Sequence, residues 1–222
     1  MKSVLMLVLA AFYSVTARPS SLEELFVYPS EYVGGRPVGD YVNIWWQWAY
    51  IIPEELSPVR DLTGENCHVG QSGDVWFLAG GYGTSTIRRQ CTIPEGKYIF
   101  IPVINMVYWA KKEESISCDE AKQSAALNND NLLSIGITLD SMTAWNPANT
   151  RIASADCFDM LGLVPDELNP PKIYPAATDG YWVMLRPLTR GIHTLKFKAQ
   201  YGREKGPYSK MAQDIEYELL IE

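Results

Sequence analysis

The hydrophobic positions of this chain fall into three patterns, and each predicts a different kind of element. Over residues 40–52, Tyr41, Ile44, Trp45 and Trp48 recur at helical spacing. Asp40 stands where an N-cap belongs and Pro53 stops the run, which predicts a short aromatic helix. Val75-Trp76-Phe77-Leu78-Ala79 and Tyr98-Ile99-Phe100-Ile101 are instead unbroken apolar runs bounded by glycine and proline, as in strands buried on both faces. Further along, the period is two. Ile135, Ile137 and Leu139 share a face, as do His193, Leu195 and Phe197, and as do Ile215, Tyr217, Leu219 and Ile221, with Thr194, Lys196, Glu216 and Glu218 opposite.

A second short helix is signalled by Ser117 and Glu120, which form a capping box ahead of Ala121, Ala125, Ala126 and Leu127, before Asn128-Asn129-Asp130 ends it. Gly191 is expected to close a hairpin between the strand of Trp182 and the strand of His193, and residues 213–221 to supply the last strand. Residues 18–39, with Pro29, Gly34-Gly35 and Pro37, read as an irregular arm. The pattern predicts a mainly β chain: an antiparallel β-sandwich or jelly-roll-like domain over residues 40–222, with one aromatic-rich N-terminal helix and a second short helix.

Residues 1–17 belong to another class. Lys2, an uncharged apolar run from Val4 to Val15 and the ending Val15-Thr16-Ala17 describe a cleavable secretory signal, too short to span a bilayer as a stable helix. The mature chain then starts at Arg18 and is secreted or periplasmic, with no membrane association after cleavage. In such a compartment four cysteines are an even set for disulfides. Of the three possible pairings, Cys67 with Cys91 and Cys118 with Cys157 is preferred, because each closes a moderate loop around turn-rich sequence. With 19 basic and 26 acidic residues and a net charge of −7, the chain carries no basic patch, which argues against nucleic acid as a partner. Close Cys or His pairs are missing, so no metal and no cofactor is implied. Nothing in the sequence specifies an oligomeric state.

Several stretches carry a resemblance. They are Gln71-x-Gly73-x-Val75-Trp76-Phe77-Leu78-Ala79-Gly80, Cys91-Thr92-Ile93-Pro94-Glu95-Gly96-Lys97, Ile101-Pro102-Val103-Ile104-Asn105, Asp179-Gly180-Tyr181-Trp182 and Pro187-Leu188-x-x-Gly191-x-His193-Thr194-Leu195-x-Phe197. Over most of residues 43–221 the chain resembles a family of exported, mostly bacterial β-sandwich proteins of uncharacterised function. The resemblance implies a compact β-sandwich and brings no catalytic assignment.

Candidate chemistry follows from aromatics and polar loops. Trp45 and Trp48 are expected to pin the helix onto the sandwich, whereas Trp46, Trp109 and Trp145 are the aromatic candidates for ligand contact, with Gln71 as a polar one. Residues 61–71 hold the densest polar cluster, and Asp61 and Glu65 are the weak candidates for an acid and base pair in hydrolysis. Self-satisfied Asx-turns beside a disulfide are the favoured reading of that loop. His193, with Asp179 or Asp156 as its orienting carboxylate, is the remaining weak catalytic candidate and is more simply a hydrogen-bonded core residue. No Gly-x-Ser-x-Gly elbow occurs, and Gly80-Gly81-Tyr82-Gly83 lacks the lysine of a phosphate loop. The expectation is an exported non-catalytic binding protein for a glycan or a protein. The alternatives are a secreted hydrolase using Asp61 and Glu65, and a protein-interaction module of the cell envelope.

Overall fold

The alternating segments become two stacked sheets in the computed structural model, which describes residues 19–83, 85–111, 114–145, 148–206 and 209–222. The expected signal over residues 1–17 lies outside the described residues. In chain order the strands are β1 (Phe26–Val27), β2 (Tyr32–Val33), β3 (Arg36–Pro37), β4 (Val75–Phe77), β5 (Thr86–Ile93), β6 (Tyr98–Trp109), β7 (Leu132–Leu139), β8 (Met142–Trp145), β9 (Arg151–Ala153), β10 (Ala176–Leu185), β11 (Gly191–Gly202) and β12 (Lys210–Ile221). The helices are α1 (Tyr41–Ile51) and α2 (Cys118–Asn129). One sheet, the inner one, runs β1-β10-β6-β4 with β9 also on β10; the outer sheet runs β5-β12-β11-β7-β8; β2 and β3 form a separate ribbon.

The inner sheet explains the unbroken apolar runs. Trp76, Leu78, Ile99 and Ile101 point into the core shared with the outer sheet, where Phe197, Tyr217 and Leu219 meet them. Val75, Phe77 and Phe100 point the other way, into a second core under α1 with Trp45, Trp48 and Trp182. Both faces are dry, so polar residues have no place in these strands. The outer sheet has one dry face, and its alternation survives. Lys196 and Arg88 on its exposed side pair with Glu216, and Lys198 pairs with Asp214.

The sandwich is mainly antiparallel, with parallel pairings at one edge of each sheet, β4 on β6 and β5 on β12. The chain leaves β4 in the inner sheet and enters β5 in the outer one. The expected hairpin at Gly191 does not form. β10 belongs to the inner sheet and β11 to the outer, so residues 186–190 arch from one sheet to the other, with Leu188 buried between them. A turn-forming glycine marks the entry to a strand without telling which sheet receives it.

Of the arm expected over residues 18–39, the described part, 19–39, is integrated into the fold. β1 extends the inner sheet by pairing with Met184 and Leu185, and Leu22 and Phe26 enter the inter-sheet core. Two-residue strands are too short to show a period. α1 packs Tyr41, Val42, Trp45 and Trp48 inward as the spacing predicts. Asp40 occupies the N-cap position without capping through its side chain, because the turn Val38–Asp40 already delivers its backbone in a helical conformation. At α2 the capping box forms as expected: Ser117 Oγ accepts from the Glu120 N–H, and the Glu120 carboxylate accepts from the Ser117 N–H. The disulfides are Cys67–Cys91 and Cys118–Cys157, the preferred pairing. They accord with an oxidising, non-cytoplasmic environment. Among the described residues no helix is long and apolar enough to cross a membrane.

Candidate functional site

A length mismatch between two strands opens a cavity. β6 runs for twelve residues, whereas β4, its neighbour on one edge, has three and pairs only with Tyr98, Ile99 and Phe100. Beyond that point residues 105–109 of β6 have β10 on one side and, among the described residues, no strand on the other. A bulge opposite Tyr181 and Trp182, next to Pro102, bends β6 just before this free edge. The resulting cavity of about 390 Å³ lies along the edge. Side chains from both faces of β6 therefore line it: Asn105, Val107 and Trp109 alternate with Met106.

Three other elements close the space. α1 contributes Trp45 and Trp46, the inner face of the outer sheet contributes Tyr201, Met211 and Gln213, and the connection from β4 to β5 contributes Gly80 to Gly83 with Tyr82. In that connection Ala79 to Gly81 are pinned by hydrogen bonds. Arg89 Nη1 donates to the carbonyls of Ala79 and Gly80 at 2.8 and 2.9 Å, and Gln213 clamps Gly81 by accepting from its N–H at 3.0 Å and donating to its carbonyl at 2.7 Å. Tyr217 Oη donates to the Ala79 carbonyl at 2.9 Å. A Cβ on Gly81 would meet the Cδ1 tip of the Ile87 side chain, which would have to turn aside. Tyr201 Oη lies 3.2 Å from the Met106 sulfur and 3.4 Å from the Met211 sulfur, joining the two sheets at the cavity. Burial pushes the Tyr201 hydroxyl above its ordinary pKa, which keeps it a neutral donor.

The sequence-derived candidates separate sharply. Trp46 and Trp109 both line the cavity and both are half-buried. Tyr50, one helical turn beyond Trp46, meets Trp109 edge-on at 5.8 Å. Trp45 and Trp48 pack inward, and their indole N–H groups donate to the carbonyls of Leu78 and Val69. Trp46 differs, since its indole N–H is buried with no hydrogen-bond partner. The side chain of Trp145 lies outside the described residues.

Gln71 does not reach the cavity. Its amide donates to the carbonyls of Cys67 and Phe77, and its oxygen accepts from the Phe77 N–H at 2.9 Å, which ties the polar loop to β4. Asp61 is occupied in the same manner: its carboxylate accepts from the N–H groups of Thr63 and Asn66 and from the Thr63 hydroxyl. Burial pushes its pKa up, but these donors outweigh burial and hold the carboxyl below its ordinary range. Glu65 and His68 are exposed. His193 does not meet Asp179 or Asp156. Its Nδ1 lies 2.9 Å from Asp140, in the turn between β7 and β8, and its Nε2 lies 2.9 Å from the Thr189 carbonyl. Asp179 instead binds Arg151, which also reaches Asp130. No acid and base pair is assembled among the described residues named as catalytic candidates.

Asn105, Met106, Lys210, Met211 and the Gly80 to Gly83 wall were not singled out as ligand-contacting from the sequence. They are brought together by strand length and sheet crossover, which leave no local spacing signature. Comparison of the chain with protein-family models, with curated proteins and with solved structures returned no match.

Proposed function

We propose that this chain is an exported, non-catalytic binding protein that takes a ring-bearing ligand into the cavity beside the free edge of β6. The observation that carries this reading is the convergence of Trp46 and Trp109 on one preformed cavity of about 390 Å³. Small-ligand sites have this character: concave, mostly apolar, on the order of 300–1,000 Å³, with few polar groups. The wall fixed by Arg89 and Gln213 supports the reading further, because a preformed site lowers the ordering cost of binding. Against catalysis stand the engaged carboxylate of Asp61 and the two engaged nitrogens of His193. The disulfides support export to the periplasm or the exterior.

The test is titration of the chain from Arg18 onward with array glycans and with flat ring compounds, followed by tryptophan fluorescence. Saturable binding that falls at least tenfold in Trp46→Ala and in Trp109→Ala is the expected result. Binding of equal strength in both variants would place the ligand elsewhere.

A further inference from the structure

We infer that the ligand is an organic acid, with its flat apolar ring against Trp46, Trp109 and the Met106 and Met211 thioethers and its carboxylate or equivalent anion at Asn105 and Lys210. This rests on the reading of the cavity as the ligand site and adds the chemistry of what enters it. Gln213 is occupied at both ends of its carboxamide by Gly81, and Arg89 by the carbonyls of Val59, Asp61, Ala79 and Gly80. Tyr201 already contacts both thioethers. Among the described residues, the carboxamide of Asn105, the ammonium of Lys210 and the hydroxyl of Tyr82 line the cavity without a hydrogen bond or an ion pair. The Trp46 indole N–H also lacks an acceptor, but it is sealed from solvent and is not one of these cavity-facing groups.

These unengaged groups are mostly donors. Lysine only donates, a carboxamide brings two N–H bonds and one acceptor oxygen, and a phenol hydroxyl does both. The described lining holds one cation and no carboxylate. A ligand that supplies acceptors, and negative charge facing an ammonium, is therefore complementary. A sugar is a poorer match: each of its hydroxyls asks for an acceptor as well as a donor, and the unengaged side-chain acceptors of the described lining are few, the Asn105 oxygen and the Tyr82 hydroxyl. Thioethers and indole faces favour a flat apolar body, for which methionine supplies soft, adaptable contacts. Lys210 is exposed and Asn105 half-buried, so the charged end faces the mouth and the ring lies inward.

The test uses 2-naphthoate and its neutral counterpart 2-naphthamide, titrated calorimetrically into the wild-type chain, with a panel of mono- and oligosaccharides in parallel. The expected result is that the acid binds about tenfold tighter than the amide, as one charge-assisted contact implies. Lys210→Gln should remove most of that advantage. Asn105→Asp, which keeps the side chain's shape while adding a negative charge, should reverse it. Equal affinity for acid and amide, or binding of saccharides alone, would overturn the organic-acid inference and leave the cavity in place as a binding site. No binding of any of these compounds would overturn both.

Discussion

The polar loop over residues 61–71 and the cavity beside β6 meet at Arg89, whose guanidinium reaches the carbonyls of Asp61 in the loop and Val59 just before it, and of Ala79 and Gly80 on the other side. The loop is rich in carboxylates, amides and hydroxyls, and its principal polar groups are engaged in holding its own shape. The cavity is poor in polar groups, yet those of Asn105 and Lys210 are unengaged. Polar density along a sequence therefore indicates how much a segment needs to satisfy its own backbone. The capacity to bind depends on which groups the fold leaves over.

The most severe way to break this arrangement is Arg89→Met. Arg89 is 3 % exposed and donates to four backbone carbonyls and to Tyr217. Removing it strands buried acceptors, and a loss of about 3–5 kcal/mol is expected in urea unfolding. Ligand affinity should fall with it, because the wall at Ala79 and Gly80 loses its donor. Cys67→Ser combined with Cys91→Ser releases the loop from β5 and should cost about 3 kcal/mol by the same measurement.

A smaller effect is expected at Asp61→Asn, about 1 kcal/mol from weakened turn hydrogen bonds. Its pH dependence has a definite sign. A carboxyl held below its ordinary range contributes stability above its unfolded pKa of about 3.9, and that contribution is lost as pH falls through the lower folded value. Unfolding followed from pH 6 to pH 2 should therefore show a shallower acid decline in Asp61→Asn than in wild type. The smallest change, Glu65→Gln, should alter stability by less than about 0.5 kcal/mol and leave ligand binding as it is, since the side chain is exposed.

Legibility from sequence divides along a similar line. Periodicity exposed β7, β11 and β12 of the outer sheet, because a side chain's inward or outward direction is local and repeats every two residues, whereas β5 and β8 of that sheet and β1 and β9 of the inner one were not recognised. It also distinguished the inner sheet, whose second dry face suppresses alternation in Val75-Trp76-Phe77 and Tyr98-Ile99-Phe100. Ser117 and Glu120 announced α2 because capping is local as well. Pairing partners were less legible: the arch over residues 186–190 and the parallel edges of β4 and β5 depend on which sheet a strand joins. The cavity inherits that difficulty. Trp46 and Trp109 were recognisable as aromatics outside the inward stripe, but Asn105, Lys210 and Met211 become neighbours only because β4 stops after three residues. His193 illustrates the limit at one residue, since its partner Asp140 lies at positive φ in a turn that no helical or strand period marks.

The central claim, that the cavity along the free edge of β6 is where this protein binds, is tested most directly by filling it. Met211→Trp places a larger side chain into the space, and 8-anilinonaphthalene-1-sulfonate, a ring body with an anionic head, reports occupancy by fluorescence. One saturable site in the wild-type chain, retained in Glu65→Gln and lost in a folded Met211→Trp, is the predicted result. Undiminished dye binding in Met211→Trp would contradict it.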